Sequence, residues 1–179
     1  PISVNLQKSI DAIVALLAIQ LTGNIYVPLD IDTPLKRKEK ILKTLGSNWV
    51  LEHKADEFTL AGKSFSFTHD NDDPETKDFI LKKLSTRKSD DPLYIIFTSG
   101  TTGTPKGVTI SNASVIDYID WAVKIYNVSE KEIIGNQAPL FFDNSVLDLY
   151  LTFSKGCTLH LLSKDILRFP AGFGNYASS

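Results

Sequence analysis

The chain has 179 residues, 42% of them hydrophobic and 22% charged, with a formal charge of −2. That length supports one substantial core, and the near-neutral balance gives no basis for a nucleic-acid or membrane-surface partner. The single cysteine, Cys157, excludes an internal disulfide and fits a reducing compartment such as the cytoplasm.

Taken in order, Ser9 to Leu21 reads as a helix with Ser9 as N-cap and apolar residues on nearly every face. Its apolar window, Ile10 to Leu21, is too short to span a bilayer and contains Asp11 and Gln20, so membrane insertion is not expected. Ile25-Tyr26-Val27 predicts a short strand ending at Pro28. Thr33-Pro34 then reads as a helix start, with Thr33 capping and Pro34 at the first helical position. Leu35, Ile41, Leu42 and Leu45 are expected inward on that helix, which should stop at Gly46. Trp49-Val50-Leu51 is a further strand, and Trp49 and Trp121 are expected in a core or an interface. Helices alternating with short apolar strands predict an α/β fold with largely parallel sheets flanked by helices.

Phe58-Thr59-Leu60 and Phe65-Ser66-Phe67 flank Ala61-Gly62-Lys63 as a small hairpin. Asp70 to Pro74 lacks the glycine and distant glutamate of a calcium loop and reads as a solvated acidic turn. Glu75 to Leu84 predicts an amphipathic helix, and Ser85 to Pro92 a polar connector. Ser111 to Tyr126 predicts a helix with Val115, Tyr118, Ile119, Ala122 and Val123 on one side. A strand from Ile133-Ile134, a helix over Asn144 to Phe153 and a strand over Thr158 to Leu162 follow. The chain opens at Pro1-Ile2-Ser3-Val4 and closes soon after a strand, so residues 1–179 are expected to form one incomplete domain of a longer protein.

The chemistry concentrates where the apolar run Leu93-Tyr94-Ile95-Ile96-Phe97 empties into Thr98-Ser99-Gly100-Thr101-Thr102-Gly103-Thr104-Pro105-Lys106-Gly107. Glycines let a backbone approach a polyphosphate, hydroxyls and amide N–H groups donate to its oxygens, and a lysine adds a mobile positive charge. The Walker loop does not fit, because it requires Gly-Lys-Ser/Thr and here Thr104-Pro105 separates Gly103 from Lys106. Gly/Ser/Thr-rich connections also join elements that bind nothing, so spacing alone leaves the choice open. Asp143 likewise has two readings, as the N-cap of the following helix or as counter-charge to a bound cation. No Cys/His/Asp cluster has metal-ligand spacing; His53 and His69 sit in polar connectors and His160 in a strand.

The string Thr98 to Gly107 resembles the signature of the adenylate-forming enzymes, the superfamily of acyl-CoA synthetases, peptide synthetases and luciferases. Leu17 to Asp30 looks like an early core motif of amino-acid adenylation domains within it. Asn136-Gln137-Ala138-Pro139 before Phe142-Asp143-Asn144-Ser145-Val146-Leu147-Asp148-Leu149-Tyr150 is similar to the segment that meets the amino acid, and leans toward the D-alanine–carrier protein ligases. The resemblance covers essentially the whole chain. It implies the N-terminal adenylation core of a ligase that activates an amino acid as aminoacyl-AMP and passes it to a carrier-protein phosphopantetheine thiol, with ATP bringing Mg2+. It makes Thr98, Ser99, Gly100, Thr101, Thr102, Gly103, Thr104, Lys106 and Gly107 the phosphate-binding residues, with Lys106 catalytic through charge on the β- and γ-phosphates. Asp143 would pair with the α-ammonium group, and Asn144 and Leu147 would line the side-chain pocket. Asn144 departs from the apolar residue usual in D-alanine ligases, which leaves the amino acid open. The resemblance also implies that the adenine and ribose contacts and the C-terminal domain lie beyond this chain, so that the chain alone is inactive. The alternatives are an acyl- or aryl-CoA ligase of the same superfamily, against which Asp143 speaks, and a non-catalytic binding or scaffold domain.

Overall fold

Four short strands run parallel and form the middle of a seven-stranded sheet: β1 (Ile2–Asn5), β2 (Tyr26–Pro28), β3 (Val50–Lys54) and β6 (Pro92–Thr98). The computed structural model describes residues 1–54, 57–65, 73–98 and 104–163. At the margins, β4 (Glu57–Leu60) and β5 (Lys63–Phe65) continue antiparallel from β3, and β7 (Lys106–Ser111) pairs antiparallel with β6. The order is β5-β4-β3-β1-β2-β6-β7. The parallel expectation therefore holds for the centre of the sheet, and hairpins make its two edges.

The chain divides into two compact units, Pro1–Ser114 and Val115–Ser179. In the first, helix α1 (Ile10–Leu21) follows β1, and the Ala12 N–H donates to Ser9 Oγ at 3.2 Å, the expected cap. The buried residues of α1 are Ala12, Ala15, Leu16, Ile19 and Gln20. Helix α2 (Leu35–Leu45) closes on Gly46 in the left-handed conformation, which only a glycine adopts without strain. Val27 and Leu29 form a core cluster with Ile41 of α2, and Leu45, Ile95 and Phe97 pack against it. Removing the Ile41 side chain would cost about 2–5 kcal/mol. By the strand register, Tyr26 lies beside Tyr94, and their rings stack 5.5 Å apart.

Two local expectations need correction. Thr33 does not cap α2: Pro34 is the N-cap position, no side chain caps the helix, and the Arg37 and Lys38 N–H groups donate to the Pro34 carbonyl, so the helix starts at Leu35. Leu35, expected inward, is the first residue of the helix and is 72% exposed. Of the two readings of Trp49 and Trp121, core or interface, exposures of 54% and 49% exclude the core.

Ala61 and Gly62 both have positive φ, the turn geometry that matches strand twist in a tight hairpin, and they join β4 to β5 as expected. Helix α3 (Pro74–Thr86) opens on Asp73, whose carboxylate accepts from the N–H groups of Glu75 and Thr76 and, at 2.7 Å, from the Thr76 hydroxyl. The Thr76 hydroxyl first, and its N–H next, hold the Asp73 carboxyl below the usual range. No residue of α3 is fully buried: it meets α1, Ile80 is half-buried, and Phe79, Leu81 and Leu84 are exposed. The rest of the acidic turn, Asp70 to Asp72, and Ser66-Phe67 lie outside the described residues.

Helix α4 (Asn112–Tyr126) begins one residue later than expected because Ser111 ends β7. Of its predicted inner face, Val115, Ile119 and Ala122 are buried, while Tyr118 is exposed and stacks on Trp121. In the second unit, β8 (Ile133–Asn136), α5 (Asn144–Lys155) and β9 (Thr158–Leu161) form a β-α-β unit whose strands pair in parallel. Its helix buries Ser145, Val146, Leu149, Leu151 and Thr152 and ends at Gly156, again left-handed.

Candidate functional site

The signature loop is the turn of the β6–β7 hairpin. Thr98, the last residue of β6, pairs with Lys106, the first of β7, so the loop leaves and re-enters the sheet at one point on its edge. The sheet thereby fixes the two ends of the loop. Thr98, Thr104 and Lys106 are exposed, and Pro105 between them is buried and anchors the return. Ser99, Gly100, Thr101, Thr102 and Gly103 lie outside the described residues. Gly107 faces Phe97 across the ladder, and a Cβ there would come within 2.8 Å of Ile95 Cγ2 and 3.1 Å of Phe97 Cζ. Its glycine is required by space. Sequence reasoning treated Lys106-Gly107 as the end of a loop and missed that both belong to a strand.

Among the second set of residues, Asp143 is the N-cap of α5, and its Oδ1 accepts from the Asn144 N–H at 2.9 Å. The capping interpretation is thus observed, and a carboxylate there also suits the positive end of the helix. Asp143 is exposed, and among the described residues its Oδ2 accepts no hydrogen bond, which leaves an oxygen for a cation. Asn144 is exposed and Leu147 half-buried. Three residues apart, they are neighbours on the helix surface.

Two further groups gather here that the sequence did not single out. Burial pushes the Tyr118 phenol above its ordinary range, and Tyr126 and the carboxylates of Asp143 and Asp148 push the same way. Asp148, one turn into α5, accepts a hydrogen bond at 2.9 Å from the side-chain amide of Asn136, which is wholly buried at the end of β8. Negative charge therefore accumulates around the start of α5, an environment that favours a positively charged group. Among the described residues no cluster of His, Cys, Asp and Glu could hold a metal ion. Nor is any described helix long and apolar enough to cross a membrane.

A model of the AMP-binding enzyme family matches residues 1–175. The chain belongs to that family. It is 32% identical, over 95% of its length, to a D-alanine–D-alanyl carrier protein ligase of Bacillus cytotoxicus, and 31% identical to the corresponding ligase of Bacillus thuringiensis. The chain spans 34% of the length of these relatives. In fold, it is similar to a four-domain nonribosomal peptide synthetase bound to AMP and glycine, with TM-score 0.77 and 18% identity over 99% of this chain and 13% of that one. The N-terminal subdomain of Klebsiella oxytoca NpsA, in complex with 3-hydroxyanthranilyl-AMSN, matches with TM-score 0.67 and 21% identity over 93% of this chain and 42% of that one. At such identities the structural matches establish the α/β fold alone.

Proposed function

We propose that these residues are part of a longer AMP-forming ligase that activates an amino acid for transfer to a phosphopantetheine-bearing carrier protein. The carboxylate of the amino acid attacks the α-phosphate of ATP, giving aminoacyl-AMP and pyrophosphate; the carrier thiol then takes the aminoacyl group and releases AMP. Thr98, Ser99, Gly100, Thr101, Thr102, Gly103, Thr104 and Gly107 would cradle the phosphates, and Lys106 would offset charge that develops as pyrophosphate leaves. Magnesium would arrive with the ATP, held mainly by phosphate oxygens. Asp143 would receive the α-ammonium group, while Asn144 and Leu147 would contact the side chain. The single cysteine and the absence, among the described residues, of a membrane-crossing helix suit a cytoplasmic enzyme.

The observation that carries this proposal is Asp143, an exposed carboxylate with one oxygen engaged as helix cap, in a chain 32% identical to a D-alanine–carrier ligase. A fatty or aromatic acid has no ammonium to meet such a group, whereas an amino acid does. The relatives are about three times longer, 34% of their length being matched, which supports a division of the active site between this chain and sequence outside it.

The test is ATP–pyrophosphate exchange by the longer protein across an amino-acid panel that includes both alanine enantiomers. Exchange with one amino acid, with affinity lost in Asp143→Ala, is expected. Exchange only with acids that lack an amine would replace the proposal by an acyl- or aryl-CoA ligase. Silence with every acid would point to a non-catalytic binding domain. Amino-acid-dependent exchange by the 179 residues alone would refute the division of the site.

A further inference from the structure

Seven residues, Gln137 to Asp143, separate the end of β8 from the start of α5, and they carry the proposed ammonium ligand at their last position. A connection of that length holds a carboxylate in place only if its ends are fixed. The exit is fixed by Ser145, 1% exposed, whose hydroxyl donates to the carbonyls of Phe142 at 2.7 Å and Leu140 at 3.3 Å. The entry is fixed differently. Asn136 is wholly buried; its carbonyl accepts from the Leu162 N–H at 3.0 Å, and its side-chain amide donates to Asp148 Oδ2 at 2.9 Å. One hydrogen bond thus ties the strand that enters the segment to the helix that leaves it.

A carboxylate is an expensive choice for that tie. Half-buried against a wholly buried amide, Asp148 gives up hydration that a leucine or methionine would not need. Packing alone does not account for it. What the charged acceptor adds is direction: a charge-assisted hydrogen bond that fixes the end of β8 against α5 one turn beyond Asp143.

We propose that Asp148 is a positioning residue for the amino-acid site, acting through Asn136 on the segment that ends at Asp143. The proposal rests on the amino-acid interpretation of Asp143 given above. Asp148 touches neither substrate nor ATP; it determines where the Asp143 carboxylate stands, and so tunes amino-acid affinity without altering the phosphate hairpin. Asn136 is the receiving half of the same device.

The test measures KM for amino acid and for ATP in exchange assays on the whole ligase, with thermal unfolding as the check on folding. Asp148→Leu, which removes the acceptor, is expected to raise the amino-acid KM about 10-fold, as expected for loss of a charge-assisted hydrogen bond. Its KM for ATP should stay within about 2-fold. Asp148→Asn keeps an acceptor oxygen and should rescue, within about 3-fold of the parent. An Asp148→Leu enzyme with the parental amino-acid KM, while Asp143→Ala loses affinity, overturns the positioning role alone. Equal damage from Asp148→Asn and Asp148→Leu also overturns it, because charge and not the hydrogen bond would then matter. An unchanged KM in Asp143→Ala overturns the amino-acid interpretation, and the positioning role falls with it. If Asp148→Leu does not fold, the swapped pair Asn136→Asp with Asp148→Asn decides. Recovery of the KM that Asn136→Asp alone raises supports the tie, and no recovery overturns it.

Discussion

The Phe97 ring covers the place where a side chain at Gly107 would stand: across the β6–β7 ladder, a Cβ at 107 would lie 3.1 Å from Phe97 Cζ. Phe97 has little room to withdraw, since it packs against the cluster of Val27, Leu29 and Ile41. Ile95 Cγ2, at 2.8 Å, belongs to a β-branched side chain that is stiff at χ1. Gly107→Ala is therefore expected to destabilise the hairpin by about 1–3 kcal/mol, the usual cost of overpacking. Equilibrium denaturation would read this. An unchanged midpoint would mean that the ring relaxes freely. Because Lys106 is the neighbouring residue, the same variant should also raise the KM for ATP.

Lys106 itself stands exposed, paired in register with Thr98, where a flexible cation can follow a leaving group. Lys106→Ala should lower kcat for pyrophosphate exchange by roughly 10²–10³-fold, the scale for removing one group that stabilises developing charge. Amino-acid KM should move little. A drop confined to KM would assign the lysine to ground-state binding instead.

Elements with local signals were legible in the sequence. Ser9 before an apolar run, Gly46 after one, and Ala61-Gly62 between two β-rich runs each specify backbone geometry by themselves, and each appears as expected. Strands β1 and β7 were missed because neither carries such a signal. Ile2–Asn5 is only 4 residues long, too few to show a clear period, and Lys106–Ser111 presents Lys106, Gly107, Val108 and Thr109 to solvent, so only pairing with β6 makes it a strand. The two tryptophans stayed open between core and interface for a related reason: size favours burial, and their exposure, 54% and 49%, is set by the fold. At the site, the motif residues stood out because their types suit the chemistry. The Asn136–Asp148 bond did not, since it joins positions twelve apart on different elements. Tyr118 was legible only as an apolar helix position, and its closeness to two carboxylates is a property of the fold.

Asn144 and Leu147 yield a prediction about selectivity. The first is exposed and the second half-buried, on adjacent positions of the α5 surface. A polar amide at 144 should favour an amino acid whose side chain can hydrogen-bond. Asn144→Ala is expected to shift preference toward a small or apolar amino acid by about 10-fold in kcat/KM, within the range typical of one pocket contact. Competition among amino acids in the exchange assay measures it directly. An unaltered order of preference would remove Asn144 from the pocket.

Tyr118 offers a test of the electrostatics that needs no substrate. Its phenol is raised above 10.0 by burial, by Tyr126 and by the carboxylates of Asp143 and Asp148. A group whose folded-state pKa lies above its unfolded one contributes stability below the unfolded value, and loses it as pH rises through the folded one. As pH rises through the ordinary tyrosine range and beyond it, the protein should lose stability more steeply than Tyr118→Phe, which has no such proton to release. Asp143→Asn and Asp148→Asn should each bring the phenol back toward its ordinary value, read as an earlier rise of phenolate absorbance. An ammonium group bound at Asp143 would offset the same charge and lower the same pKa. Titration with and without the activated amino acid would then report occupancy of the site from the protein side. A phenol that titrates identically in both carboxylate variants would place Tyr118 away from Asp143 and remove the negative field assigned to the start of α5.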